Sequence, residues 1–289
     1  MKIESVGVVG AGAMGNGIAQ IAAVAGLKIV LVDITEAALV KGMATLGASL
    51  SRLVEKGRLS ASARKTALER IETSMDYRTL ADADIVIEAA SEITDLKVRI
   101  LRQVESEVRA DTIIATNTSS ISITALGATL KRPERFIGMH FFNPVALMPL
   151  VEVIQGVQTS PGTASSVRDL TKHFGKVPIT VKDSPGFVVN RILIPMINEA
   201  FFVLAENVAT AAEIDAGMQL GANQPLGPLG LADLIGLDVC LSVMDIFLND
   251  FRDSKYRASP LLRDMVAQGK LGRKTGRGVY VYDQAPMSQ

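Results

Sequence analysis

The sequence predicts an α/β fold: an N-terminal Rossmann-type, mostly parallel sheet with a helical hairpin insertion, followed by an all-α C-terminal domain. Three observations carry that reading. Short apolar runs alternate with helical patterns through the first two-thirds of the chain, the signature of βαβ units. A glycine-rich turn, Gly10-Ala11-Gly12-Ala13-Met14-Gly15, joins the first apolar run to the first helical one. Strand signals then fade, and the last third is mainly helical. The boundary is expected near residue 184, giving a sheet domain over 1–184 and a helical domain over 185–289.

Val6–Val9, Lys28–Val32, Ile85–Glu88 and Thr112–Ala115 read as buried strands, rich in β-branched residues. A helix over Asn16–Ala25 follows the glycine turn. After the second strand, Leu39, Met43, Leu46, Leu50 and Leu53 alternate spacings of four and three, which is a helical stripe. Gly57 ends that helix and another begins at Ser60, so a helical hairpin should project from the sheet. Arg52, Lys56 and Arg58 lie off the stripe and form a cationic edge, which fits a phosphate contact or a purely solvated helix face. Phe136–Phe142, Leu150–Ile154 and Ile179–Val181 are further strands. Their connections are shorter, so part of the sheet is expected to be antiparallel or peripheral. Ser184-Pro185-Gly186 reads as a helix start, with Ser as cap and Pro in the first turn. Ser160-Pro161 and Ser259-Pro260 repeat the signal. Ile192, Ile194, Met196 and Phe201-Phe202 give the helical domain long apolar faces; a homodimer built through it is expected, the alternative being burial of these faces against the chain's own sheet domain.

Composition narrows the function classes. The apolar fraction is 48 % and the charged fraction 21 %, as in globular chains. Lys+Arg and Asp+Glu each number 30, which argues against a general nucleic-acid binder. The single cysteine, Cys240, forms no intramolecular disulfide, favours a reducing compartment and reads as a buried structural thiol. The first strand follows Met1 closely, leaving no room for a signal peptide, and no apolar run approaches the ~18 residues of a membrane span. A cytoplasmic protein with no membrane or metal partner is expected.

The glycine turn carries the first chemistry. It follows a strand and opens a helix, the context that the G-x-G-x-x-G mechanism requires. Gly10 permits the tight turn, Gly12 removes a side chain where a pyrophosphate approaches, and Gly15 lets the helix pack close to the strand. The helix N-terminus then offers free N–H groups to the phosphates. Asp33 ends the second strand at about the ~20-residue offset of a ribose-binding acid. It favours NAD(H) over NADP(H), because a carboxylate repels a 2′-phosphate. The bland alternative makes Asp33 a helix cap.

Oxidising a secondary alcohol needs a base, and His suits that task near neutral pH. His173 looks like an ordinary polar residue at a helix end. His140 ends an apolar strand in Met139-His140-Phe141-Phe142-Asn143-Pro144. Glu152, inside the apolar run Val151–Ile154, is costly to bury unless paired, and His140 is its natural partner. Asn117-Thr118-Ser119-Ser120 follows a strand, at the end where open α/β sheets place ligands. Asn190 is an uncharged amide near the start of the helical domain.

Together these segments resemble the 3-hydroxyacyl-CoA dehydrogenases. Gly10–Gly15, Asn117–Ser120, His140–Pro144, Pro185–Arg191 and Gly272-Arg273-Lys274-Thr275-Gly276 carry the resemblance, in order, through nearly the whole chain. The length is similar to that of the short bacterial type, which acts on 3-hydroxybutyryl-CoA and acetoacetyl-CoA. The resemblance implies hydride transfer between NAD(H) and C3 of a short-chain 3-hydroxyacyl-CoA or 3-oxoacyl-CoA, within fatty-acid and lipid metabolism. It implies His140 as catalytic base, Glu152 as its partner, Ser119 on the substrate oxygen and Asn190 lining the same pocket. It places Glu92 and Lys97 near the nicotinamide, with Asn117, Ser119, Asn143 and Lys274 as further cofactor contacts beside Gly10, Ala11, Gly12, Ala13, Met14, Gly15 and Asp33. Ser49 and Lys56 on the hairpin, with Ser119 and Asn143, are implied to hold the CoA substrate. Gly230 and Val279 depart from the usual family pattern. Two other readings fit the fold: a dehydrogenase of a free hydroxy acid or sugar acid, and a non-catalytic NADH-binding protein.

Overall fold

The structure, a computed structural model, describes residues 2–282. The chain divides into two compact units, Met1–Phe187 and Val188–Gln289. The first contains one sheet of eight strands: β1 (Ser5–Val9), β2 (Lys28–Val32), β3 (Ile71–Ser74), β4 (Ile85–Glu88), β5 (Ile113–Thr116), β6 (Phe136–Phe141), β7 (Leu150–Gln155) and β8 (Val177–Lys182). Their order is β3-β2-β1-β4-β5-β6-β7-β8. All neighbours run parallel except β6 and β7. The chain order reverses between β1 and β4, the place where doubly wound sheets open a crevice.

Six helices cover this sheet: α1 (Ala13–Val24), α2 (Glu36–Glu55), α3 (Ala61–Glu69), α4 (Thr94–Glu107), α5 (Ile123–Gly127) and α6 (Pro161–His173). The central strands are apolar throughout because both their faces are covered. Ile85 and Ile87 share a core with Ile18 of α1 and Leu46 of α2, whereas Val86 shares another with Leu101 of α4. The hairpin starts and stops where local chemistry dictates. Thr35 accepts a hydrogen bond from the Ala38 amide, Ser60 accepts one from the Ala63 amide, and Gly57 takes φ +65° between the helices. Leu46, Leu50 and Ala67 of the hairpin join the same core as Ile18, so much of it packs on α1 and does not stand free.

One strand has no counterpart in the sequence pattern, and one expectation needs correction. Strand β3 carries no apolar run: it is an edge strand whose Glu72 and Thr73 are exposed, so its pattern is silent. The helix expected from Pro185 starts at Val189 instead. Pro185-Gly186 forms the centre of a turn closed by the Phe187 amide donating to the Ser184 carbonyl at 2.9 Å. Gly186 has φ +73° and Phe187 φ +53°, which no right-handed helix accepts. A non-glycine residue there is strained by roughly 1–2 kcal/mol. Burial of the phenyl ring, worth roughly 1.5–3 kcal/mol, offsets that strain.

The second unit comprises α7 (Val189–Ala205), α8 (Ala211–Gly221), α9 (Pro228–Ile235), α10 (Leu237–Phe251) and α11 (Pro260–Ala267). Ile194, Phe201, Met244 and Phe247 lie in its core, and Ile192 stays exposed. Two buried carboxylates organise this unit. Asp215 accepts from the Leu229 and Gly230 amides at the start of α9, and Asp233 from the Val279 and Tyr280 amides. Among the described residues, no helix is long and apolar enough to cross a membrane.

Candidate active site

A cleft of about 740 Å³ opens at the carboxyl ends of β1, β2 and β4, lined by the Gly10–Met14 turn, Asp33, Lys41, Tyr77 and Ala90. Its size suits a small organic ligand. Gly10 has φ +105°, and a Cβ on Gly15 would overlap the Gly10 carbonyl oxygen. A Cβ on Gly12 would meet nothing within 4 Å, so the space beside that backbone is open. Gly12 caps α1, whose first turn holds no acidic side chain to compete with an anion. Asp33 does not cap α2, a task done by Thr35. Its carboxylate accepts from the Ala11 and Ile34 amides, both at 2.7 Å, and so ties the glycine turn to the end of β2. Gly15→Ala is expected to force α1 away from β1 and raise the Kd for NADH at least about 10-fold, or ~1.4 kcal/mol, in a fluorescence titration.

A buried charge network stands at the end of β4. Lys97 donates to both oxygens of Glu88, at 2.8 and 3.0 Å, and lies 3.3 Å from Glu92. Glu88 also accepts from the Thr116 hydroxyl and the Ala90 amide. Glu92 accepts from the Thr118 hydroxyl at 2.5 Å, the Ser119 amide at 2.9 Å and the Ser120 amide at 3.2 Å. The Ser119 hydroxyl is 3.3 Å from the same oxygen. Burial alone would push the Glu92 carboxyl up; the Lys97 ammonium and the Thr118 and Ser119 donors outweigh it and hold the group below the usual carboxylate range. The loop carrying Ser119 is thus shaped around one carboxylate oxygen.

His140 and Glu152 face each other directly across the antiparallel pair β6–β7. Their neighbours Met139 and Val153 point to the opposite face, as the period of two requires. The imidazole Nδ1 lies 2.7 Å from Glu152 Oε2, with His140 5 % exposed and Glu152 fully buried. In the tautomer with its hydrogen on Nδ1, the imidazole donates to Glu152 and presents Nε2 as an acceptor. The imidazole packs against the rings of Phe142 and Phe187, with centroids 4.6 and 5.6 Å away. Asn117 ties in from β5: its Oδ1 accepts from the Phe141 amide at 2.9 Å. Asn143 is exposed just beyond β6.

The other predicted residues spread more widely. Ser49 is half-buried on α2, and Lys56 is exposed at its end beside Arg52 and Arg58. Asn190 is half-buried in the first turn of α7, in the helical unit. Lys274 donates to both oxygens of Asp238 at 2.6 Å, so any cofactor contact shares its ammonium with that pair. His173 is the exposed last residue of α6, and Cys240 is buried, its thiol pushed up to about 12 mainly by burial. Glu88 and Tyr77 were given no site role from the sequence, and Thr118 was named only as part of the Asn117–Ser120 cluster. Glu88 was readable, being a carboxylate that closes the apolar run Ile85-Val86-Ile87.

Residues 5–184 match the description "3-hydroxyacyl-CoA dehydrogenase, NAD binding domain", and residues 186–282 match "3-hydroxyacyl-CoA dehydrogenase, C-terminal domain". The chain belongs to the 3-hydroxyacyl-CoA dehydrogenase family. It is 49 % identical to a 3-hydroxybutyryl-CoA dehydrogenase of Bradyrhizobium diazoefficiens, covering 97 % of this chain and 96 % of that protein. It is 48 % identical to one of Clostridioides difficile, covering 96 % and 99 %. Among solved structures, it is similar to (S)-3-hydroxybutyryl-CoA dehydrogenase of Ralstonia eutropha, with TM-score 0.96, 59 % identity and 98 % and 100 % of the two chains covered. The membership makes the fold that of an NAD-dependent oxidoreductase, and the glycine turn and open cleft fit such a cofactor.

Proposed function

We propose that this protein is an NAD-dependent 3-hydroxyacyl-CoA dehydrogenase acting on short-chain thioesters, 3-hydroxybutyryl-CoA and acetoacetyl-CoA. The observation that carries this reading is the buried His140–Glu152 pair, with one imidazole nitrogen engaged and the other left as acceptor. NAD supplies the acceptor for the C3 hydride, and NADH the donor in the reverse direction. His140 Nε2 takes the 3-hydroxyl proton, and Glu152 stabilises the charge formed on the ring. Ser119 hydrogen-bonds the same substrate oxygen, oriented by Glu92 and, behind it, Lys97. The Gly10–Gly15 turn and the start of α1 hold the pyrophosphate, Asp33 the adenosine ribose, and Asn117, Asn143 and Lys274 other parts of the cofactor. Ser49 and Lys56 hold the CoA moiety, whose phosphates favour the cationic hairpin end. Asn190 closes the substrate pocket, so residues 1–184 act as the NAD-binding domain and 185–289 as the substrate-binding and dimerisation domain. Exposed Ile192, Val208 and Leu220 of the helical unit support a homodimer. The lone buried cysteine supports a cytoplasmic location.

The test is turnover of NADH with acetoacetyl-CoA, run beside free acetoacetate. Activity confined to the thioester supports the reading, and activity on the free acid alone overturns it. The Asp33 carboxylate predicts a second outcome: kcat/KM with NADH at least about 10-fold above that with NADPH, a gap of ~1.4 kcal/mol in transition-state binding. A preference for NADPH would remove the role given to Asp33.

A further inference from the structure

We propose that Phe187 is a positioning residue for the catalytic base: its phenyl ring fixes the plane in which the His140 imidazole presents Nε2. The proposal rests on His140 being that base. Three adjacent strands deliver the parts. β6 carries His140, β7 carries Glu152, and Ile179 of β8 pairs with Glu152. The chain leaving β8 turns at Pro185-Gly186 and brings Phe187 back against the imidazole, with centroids 5.6 Å apart and ring planes at 56°.

The hydrogen bond from Nδ1 to Glu152 fixes one point of the imidazole. The outer torsion of a histidine side chain is intrinsically broad, and a single hydrogen bond at Nδ1 tolerates part of that swing. Apolar contact with Phe142 and Phe187 restrains it. Phe142 belongs to the strand end that carries His140 itself, so it moves with its neighbour. Phe187 comes from a separate element and can serve as a fixed stop.

The backbone at Phe187 points the same way. Its φ of +53° lies where L side chains are disfavoured, and Gly186 beside it already supplies one left-handed residue. Glycine or asparagine would suit the conformation better, yet a phenylalanine stands there, 3 % exposed, within the core of Ile123, Ile154 and Val181. Filling that core would be served as well by leucine or methionine. Only an aromatic ring gives the imidazole a flat, tilted partner.

Phe187→Leu, Phe187→Met and Phe187→Tyr separate a stop from a filler. With Phe187→Leu, kcat for the thioester is expected to fall roughly 10-fold or more, as misplaced catalytic groups do, while KM and the Kd for NADH change less than about 3-fold. The primary isotope effect with 3-deuterated 3-hydroxybutyryl-CoA should rise, because hydride transfer becomes slower relative to the other steps. Phe187→Tyr, which keeps the ring, should restore kcat to within about 3-fold of wild type. Phe187→Leu with wild-type kcat and isotope effect, whatever its melting temperature, would overturn the proposal. If Phe187→Leu does not fold, Phe187→Met decides by the same readouts. An undiminished kcat in His140→Ala would instead fail the base assignment.

Discussion

His140→Ala is expected to lower kcat by roughly 10²–10⁴-fold and to leave NADH binding nearly intact. The size follows from what the imidazole alone can do. Nδ1 is committed to Glu152 at 2.7 Å, so Nε2 is the nitrogen that accepts the hydroxyl proton. Alanine removes the acceptor and leaves the carboxylate of Glu152, which faces the strand pair from within the core. Cofactor binding is spared because the glycine turn, Asp33 and the open space beside Gly12 are built on β1, β2 and α1. Single-turnover reduction of acetoacetyl-CoA, followed at the NADH absorbance, measures the chemical step. An unchanged rate would reject His140 as base; a rate loss matched by lost NADH affinity would make it a folding residue.

The legible parts of this protein are those where sequence and burial share a period. β1, β4 and β5 are covered on both faces and read as unbroken apolar runs. β3 is half-buried at the edge, so its residues carry no pattern. The His140–Glu152 pair was legible because a carboxylate in an apolar strand demands a partner, and the strand ends allowed one. The same rule applies to Glu88, which closes β4. Lys97 carries a readable signal as well: with Ile100, Leu101 and Val104 it lies on the buried stripe of α4, where a lysine needs an acid. Ser184-Pro185 suits both a helix start and a turn, and the following Gly186 decides for the turn. The left-handed Phe187 has no local signature, since its conformation is imposed by the ring's contacts and not by its own preference. The exposed hairpin cations are equally silent, because a solvated face and a phosphate-binding face have the same composition.

Lys97→Met is expected to destabilise the fold by about 3–5 kcal/mol, the usual loss when one member of a buried ion pair is removed. Lys97 is 1 % exposed, and its ammonium sits between Glu88, which is fully buried, and Glu92. Methionine fills the volume but leaves two acids without their cation. That should lower the melting temperature by on the order of 10 °C, read by calorimetry. A pH dependence accompanies it. Glu92 is held below the ordinary carboxylate range, so its contribution is fully present above its unfolded value and is lost as pH falls through the lower folded one. Without Lys97 the folded value moves up, and the acid-side loss of stability should begin at a higher pH than in the wild type. Activity should fall too, because the Glu92 oxygen that shapes the Ser119 loop loses its countercharge. A Lys97→Met protein as stable as the wild type, with the same acid limb, would show that the two carboxylates keep their places without the lysine. The Ser119 loop would then owe its shape to its own backbone turn.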